Sequence, residues 1–318
     1  MNTIVSIERL SHSYPPSGRQ KQPREALRNI SLLIPEGEIF CLLGPNGSGK
    51  STLFRLLSTL SALQTGSVNI LGFDLKTHAE QIRERIGVVF QSPSLDKKLT
   101  AGENLLHQGH LYGLQGDELE NRITEMLGKV GVLDRRGDFV ETLSGGIQRR
   151  VELAKSFLHK PSLLLLDEPS TGLDPGARRE FGNYLRELRD KEGATVLLTT
   201  HILDEAEQCD SIAIFDQGTM VAYGTPSGLK KEVGGDVLSI TSKSASSLCD
   251  EIKTQFGGDP SLIENTIHIE RSNAHEFIPQ LVQTFPGQID SITFSKPTLE
   301  DVFIHKTGHK FWVNAESN

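Results

Sequence analysis

Long apolar runs, patterned cysteines, internal repeats and an excess of positive charge are all missing from this chain, and each absence removes a class of function. No stretch approaches the roughly 18 to 20 uncharged apolar residues that a membrane-spanning helix needs. The nearest, Leu163–Leu166, is short and runs straight into Asp167-Glu168. The opening residues Met1-Asn2-Thr3-Ile4 lack a basic segment followed by an apolar core, so no secretory signal is expected. A membrane role would then require docking to other chains. The three cysteines, Cys41, Cys209 and Cys249, are widely spaced and match neither a metal template nor a disulfide framework. Cys41 lies inside an apolar strand and reads as a small buried side chain, and the cytosol is the expected compartment. A formal net charge of −8 and a pI near 5.7 argue against nonspecific nucleic-acid binding, which needs clustered cations. Basic clusters at Arg19 to Arg24 and at Arg149-Arg150 read as solvated faces. No solenoid-type repeat and no low-complexity tract is present.

What remains is a chain of 318 residues, 36% hydrophobic and 23% charged, long enough for one large and one small globular unit. Its beginning reads as antiparallel strands, Ile4 to Leu10 and Asn29 to Pro35, separated by a polar exposed loop from Pro15 to Glu25. Ile39 to Leu43 is a short apolar strand, and Ser51 to Leu60 has helical spacing. Ile86 to Phe90 makes another strand ending at Gln91. Helical patterns continue at Glu103 to Leu111 and Asp117 to Val130, predicting a helical subdomain over about 97–155. Leu163 to Leu166 and Thr195 to Leu198 are continuously apolar, as buried parallel strands are, with a helix over Phe181 to Arg189 between them. The texture changes near Gly224, and the predicted domains are 1–228 and 229–318. In the second, strands are expected at Val237 to Thr241, Thr266 to Glu270 and Ile289 to Phe294. Helices are expected from Ser244 to Phe256 and Asn273 to Phe285, with Ser244 and Asn273 as N-caps, and a last one opens on Thr298-Leu299-Glu300-Asp301, a capping-box pattern.

Two segments carry the chemistry. Gly44-Pro45-Asn46-Gly47-Ser48-Gly49-Lys50-Ser51 fits the phosphate-cradling pattern G-x-x-x-x-G-K-[ST], between a strand and a helix as that motif requires. Its backbone N–H groups would converge on phosphate oxygens. Lys50 would reach the terminal phosphates, the Ser51 hydroxyl would ligate magnesium, and the helix's positive end would add to the pocket. Leu163 to Leu166 would push Asp167 and Glu168 out at the carboxyl edge of a buried strand, where ligands bind in open α/β sheets. Asp167 would hold the magnesium hydration shell and Glu168 would orient the attacking water, since phosphoryl transfer leaves a protein mainly positioning and charge stabilisation. A buried strand with a polar turn after it is the plainer reading of the leucines; the attached Asp-Glu-Pro favours function.

The second segment is Leu143-Ser144-Gly145-Gly146. Ser144 could cap a helix, but two glycines in a helix's first turn cost stability unless exposed N–H groups must face an anion. Together with the phosphate loop, in this order, it resembles the signature of the ABC ATPases. The chain resembles the nucleotide-binding subunit of an ABC transporter along almost its whole length.

That resemblance implies a P-loop NTPase fold of the ABC-ATPase type, α/β, with a mixed β core, an antiparallel β subdomain, a helical subdomain and a small C-terminal α+β domain. It implies ATP and Mg2+ as ligands, with Pro45, Asn46, Ser48, Gly49 and Thr52 completing the phosphate site around Gly44 and Gly47. Gln91 would touch magnesium and relay nucleotide state to the membrane partner. His201, in Thr-Thr-His-x-x-Asp-Glu-Ala, would contact the γ-phosphate and keep Glu168 and water in register. Tyr14 would stack on adenine, and Asp174, in Ser170-Thr171-Gly172-Leu173-Asp174, would sense the other subunit's site. The anion facing Leu143 to Gly146 would be the γ-phosphate of ATP held by a second subunit, so each chain alone carries an incomplete site.

One departure stands out: the commonest family signature has Gln in fifth place, where this chain has Ile147 with Gln148 after it. An apolar residue there resembles the drug- and polysaccharide-exporting branch. The tail segment Lys296 to Phe303 likewise resembles the C-terminal extension of daunorubicin-resistance-type subunits. Those pair with separate integral membrane permeases of the ABC-2 class and mostly export drugs, lipids, polysaccharides or ions. The implied partners are thus a second ATP-binding subunit and such permeases, with no nucleic acid, at the cytoplasmic face of the membrane. The rival is a soluble ABC ATPase acting on nucleic acid or ribosomes. Chromosome-maintenance types need a long coiled-coil insertion that is missing here, and translation-factor types carry two cassettes in one chain. A non-hydrolysing regulatory module is disfavoured by Lys50, Glu168 and His201.

Overall fold

The computed structural model describes residues 2–16 and 22–311; Met1, residues 17–21 of the expected basic cluster and loop, and residues 312–318 lie outside the described residues. The chain divides into two units, Met1–Met220 and Val221–Asn318. The first contains β1 (Thr3–Tyr14), β2 (Arg24–Pro35), β3 (Ile39–Leu43), α1 (Lys50–Leu57), β4 (Thr65–Ile70), β5 (Phe73–Asp74), α2 (Ala79–Arg83), β6 (Ile86–Val89), α3 (Ala101–Leu111), α4 (Gly116–Lys129), α5 (Gly145–Ser156), β7 (Leu163–Asp167), α6 (Pro175–Glu192), β8 (Thr195–Thr200), α7 (Leu203–Ala206) and β9 (Ser211–Asp216). β10 (Thr219–Gly224) crosses into the second unit, which continues with α8 (Pro226–Glu232), β11 (Asp236–Thr241), α9 (Ala245–Phe256), β12 (Ser261–Ile263), β13 (Thr266–Arg271), α10 (Ala274–Thr284), β14 (Ser291–Ser295) and α11 (Leu299–Thr307). The expected boundary at 228 would cut α8.

Three sheets organise these elements. One is antiparallel, in the order β2-β1-β4-β5, and a six-stranded one runs β10-β9-β3-β8-β7-β6. In the latter, β9, β3, β8, β7 and β6 are mutually parallel neighbours. Every residue of β3, β7 and β8 is buried, Cys41 included, which explains why they read as unbroken apolar runs rather than alternating ones. Leu163 and Leu165 join Phe40, Phe54 and Leu197 in one core cluster. Truncating such a leucine to alanine costs about 2–5 kcal/mol, because the cavity left behind adds to the lost transfer energy. Because these strands are parallel, the turns after β3, β8, β7 and β6 all leave the same sheet edge, side by side.

Sequence pattern and structure part company where pairing overrides propensity. β1 and β2 extend well beyond the expected strands, so Arg24 and Glu25 belong to a strand rather than the expected loop; register shifts, with Arg9 (φ 48°) and Asn29 (φ 49°) in left-handed conformation, break the alternation that would have revealed their length. β4, with little apolar content, exists because it pairs with β1. Helix α6 begins six residues earlier than expected, at Pro175, where Asp174 caps it.

The second unit is an antiparallel sheet, β12-β13-β11-β14, whose Leu238, Ile240 and Ile267 pack against Leu248, Ile252, Phe277 and Leu281 of α9 and α10. The capping box at α11 forms as expected: Thr298 Oγ1 accepts from Asp301 N at 3.2 Å, and Asp301 accepts from Thr298 N at 2.8 Å. Ser244 and Asn273 do take the N-cap positions of α9 and α10, but neither makes a side-chain cap bond. Asn273 is left-handed (φ 55°), a geometry that turns its side chain away from the helix's first N–H groups. No helix among the described residues is long and apolar enough to cross a membrane.

Candidate functional site

The loop after β3 is shaped by its glycines. Gly49 is the N-cap of α1 at φ 108°, and a Cβ there would stand 2.6 Å from Ala26 O. At Gly44 a Cβ would collide with Phe215 O at 2.3 Å. Only glycine permits that angle and that approach. Lys50 comes next at the head of α1, buried, its Nζ donating to Gly44 O at 2.6 Å and Pro45 O at 2.9 Å. Burial pulls its pKa below the ordinary lysine value, while Glu168, Cys41 and Asp167 act in the opposite direction. Ser51 is exposed, and Thr52 Oγ1 accepts from Tyr14 Oη at 3.3 Å.

Neighbouring strands bring the other residues to the same edge. Asp167 ends β7 and accepts from Thr199 Oγ1 at 2.6 Å. Burial raises its pKa, helped by the charge of Glu168 and opposed by the Thr199 bond, Lys50 and Arg149. Glu168 occupies a left-handed conformation, φ 45°, uncommon for a non-glycine residue and a mark of a constrained turn. Its N–H is held by Thr199 O at 3.2 Å and Thr199 Oγ1 at 3.0 Å. Its carboxylate takes three neighbours: Gln91 Nε2 at 3.0 Å, Thr171 Oγ1 at 3.3 Å, and His201 Nδ1, which lies 3.1 Å away. Gln91 stands just after β6 and His201 just after β8. Lys50, Gln91, Asp167, Glu168 and His201 therefore meet at one sheet edge.

Above the loop lies a cavity of about 200 Å³ lined by Tyr14, Arg24, Gly47, Lys50, Ser51, Thr52 and Glu168 among others. A larger hollow of about 860 Å³, near Glu84, Tyr112, Arg122 and His159, holds none of these groups, so size alone does not locate the chemistry. Ser51 in the first turn of α1, Gln91 just after β6 and Asp167 at the end of β7 offer a hydroxyl, an amide and a carboxylate, a donor set that suits Mg2+. Among the described residues no group of three or more His, Cys, Asp or Glu could hold an ion. An ion placed here would need oxygens from a nucleotide and from water, as Mg2+ usually does.

Leu143 to Gly146 is placed differently. Ser144 is the N-cap of α5, accepting from Ile147 N at 3.4 Å, and no residue of this segment lines the cavity above the phosphate loop. Ser144 and Gly145 are exposed, and a Cβ on Gly145 would meet nothing. Asp174 is also exposed; its Oδ1 accepts from Ala177 N at 2.9 Å, capping α6.

Arg149 corrects the expectation of a solvated face. It is buried, and its guanidinium donates to Phe90 O at 2.6 Å, Pro169 O at 2.8 Å, Asp167 O at 3.2 Å and Glu152 at 2.7 Å. One side chain thus ties the helix that begins at Gly145 to the strand ends carrying Gln91 and Asp167. Its spacing to Glu152, three residues on, is the only sequence signal of that role. Arg150, by contrast, is half-buried and meets Tyr184 and Glu180. Thr199 is a further residue that sequence reading missed, although it stands two places before His201.

Comparison with known proteins shows the family and the fold. The ABC transporter family model matches residues 27–171, and a second, described as an AAA domain, putative AbiEii toxin, Type IV TA system, matches 142–205. The daunorubicin/doxorubicin resistance ATP-binding protein of Streptomyces peucetius is 36% identical over 294 residues, covering 89% of this chain and 88% of that protein. The Nod factor export ATP-binding protein I of Rhizobium meliloti is 36% identical, covering 90% of this chain and 85% of its own. Among solved structures, an ATP-binding cassette described as a dimeric post-hydrolysis state bound to ADP and Pi superposes with a TM-score of 0.63 at 29% identity, covering 70% of this chain and 98% of that one.

Proposed function

This chain belongs to the family of ABC transporter ATP-binding proteins, and from that premise we propose that two ATP-binding chains sandwich ATP to energise an ABC-2-type exporter. ATP hydrolysis coupled to export is its activity. The finer reading is that its membrane partners are separate permease subunits of the ABC-2 class, that it works at the cytoplasmic face of the membrane, and that its ATP-binding partner is a second copy or a paralogue. The drug-resistance and Nod-factor-export names of its relatives support export.

In this reading the phosphate loop and Lys50 hold the β and γ phosphates, and the adenine lies against Tyr14. A magnesium ion held by Ser51, Gln91 and Asp167 would neutralise charge on the phosphate oxygens. Glu168 orients the attacking water and accepts its proton, while His201, 3.1 Å from the Glu168 carboxylate, fixes the carboxylate and contacts the γ-phosphate. Thr199 holds both Asp167 and the Glu168 backbone. Ser144 and the N–H groups of Gly145 and Gly146 complete the partner's site, and Asp174 lies at the junction. The observation that carries this reading is the separation of the two parts: a complete strand-edge set in one place, and an exposed helix start with open glycines in another. Affinity capture of the full chain from detergent-solubilised cells tests it. Recovery of an integral membrane protein supports a transporter subunit; recovery of ribosomes or DNA instead would overturn it.

A further inference from the structure

Tyr14 and Arg24 stand opposite each other where β1 pairs with β2. Residues paired across antiparallel strands place their side chains on one face, close enough to act together. Both line the cavity above the phosphate loop, and each is tied to a different part of its floor. Tyr14 Oη donates to Thr52 Oγ1 at 3.3 Å; Arg24 Nη2 donates to Gly47 O at 3.4 Å. Gly47 takes φ +81°, and a Cβ there would come within 3.3 Å of that same Nη2, so the bare glycine lets the guanidinium lie on the loop. The Gly47 bond is long and engages one of the five N–H donors of an arginine. The rest of the fork is presented to an exposed cavity mouth.

Resting on the reading that this cavity holds ATP, we propose that Arg24 is a nucleotide-contacting residue whose guanidinium grips the α-phosphate. A base against Tyr14 and terminal phosphates at Lys50 leave the ribose and first phosphate between them, alongside Gly47 and Arg24. A planar cationic fork matches phosphate oxygens better than it matches a base or a sugar. Arg24 and Tyr14 then form the two sides of one clamp, the ring for the base and the cation for the phosphate next to it.

Because ATP and ADP share the α-phosphate, the test is calorimetric titration of the purified full chain with each nucleotide. Arg24→Ala is expected to raise the Kd for ATP and for ADP by about tenfold alike, the size of one lost charge-assisted hydrogen bond. Arg24→Lys is expected to recover part of that loss, and the deficit is expected to shrink in high salt. Unchanged affinity for both nucleotides would overturn the proposal, and a loss confined to ATP would overturn the α-phosphate placement. Arg24→Gln gives the same readout should the alanine variant fail to fold. If the wild-type chain bound no ATP, the site reading and this one would fall together. If Lys50→Ala weakened ATP binding and Arg24→Ala did not, only this one would fall.

Discussion

The strand edge and the start of α5 are both glycine-shaped, and in the proposed reading both face phosphate, yet they are built in opposite ways. At the strand edge nearly every polar group is engaged: Lys50 bonds the loop's carbonyls, Thr199 bonds Asp167 and the Glu168 backbone, and three side chains surround the Glu168 carboxylate. Leu143 to Gly146 is bonded locally, through the Ser144 cap and through Leu143 O, which accepts from Gln148 Nε2 at 2.9 Å, with Gly145 open to its surroundings. A site that must act in a fixed geometry is held by its own chain. A surface that must meet another molecule is left uncommitted. Arg149, on α5, holds the helix behind the exposed turn to the strand ends.

Disabling the strand edge alone gives the largest expected effect. Glu168→Gln keeps the shape and removes the base, so hydrolysis should fall by roughly 10²–10⁴-fold. ATP-bound dimers should accumulate, seen as a shift in size-exclusion elution with ATP; wild-type turnover in this variant would end the assignment of Glu168. Cutting the tie between the two regions comes next. Arg149→Ala leaves Glu152 buried without its cation, and losing one partner of such a pair costs about 3–5 kcal/mol. The denaturant midpoint should drop accordingly, with Arg149→Lys in between because a lysine cannot reach four acceptors at once. An unchanged midpoint would mean the two regions are held together by something else.

The smallest effect lies just beyond the far end of α5. His159 stacks on Tyr112 at 3.7 Å between centroids, with Nε2 3.1 Å from Ile86 O. Its Nδ1 is buried and meets no partner among the described residues. Burial, with Arg122 nearby, pulls its pKa down to about 4. The unfolded chain therefore takes up this proton first as pH falls, so stability should be lost between pH 6.5 and 4, on the order of 2–3 kcal/mol. His159→Phe should flatten that part of the wild-type stability profile; identical profiles would show that neutral His159 does not hold the signature helix's far end to β6.

Buried parallel strands are easy to read because both faces are covered, and the residues expected at their ends need only the motif order to be placed. The turn after β3 and the pair Asp167-Glu168 are legible for that reason. Arg149 is not, because in sequence a basic residue on a helix looks solvated, and only the fold reveals the three carbonyls it satisfies. Thr199 is hidden inside a strand, where a threonine is ordinary until its hydroxyl is seen against Asp167. Arg24 reads as part of a loop because the register shifts in β1 and β2 conceal how far those strands run. Ser144 is visible both as a cap and as a ligand for an anion, and in one chain only the cap is formed.

The central claim is that each working site takes its strand edge from one chain and its Ser144 turn from another. Lys50→Ala and Ser144→Arg chains, each expected to be inactive alone, can be mixed and their ATP hydrolysis measured. Mixed pairs would contain one site with both parts intact, so activity should reappear on mixing. A mixture as silent as its components, alongside an active wild-type chain, would contradict the account.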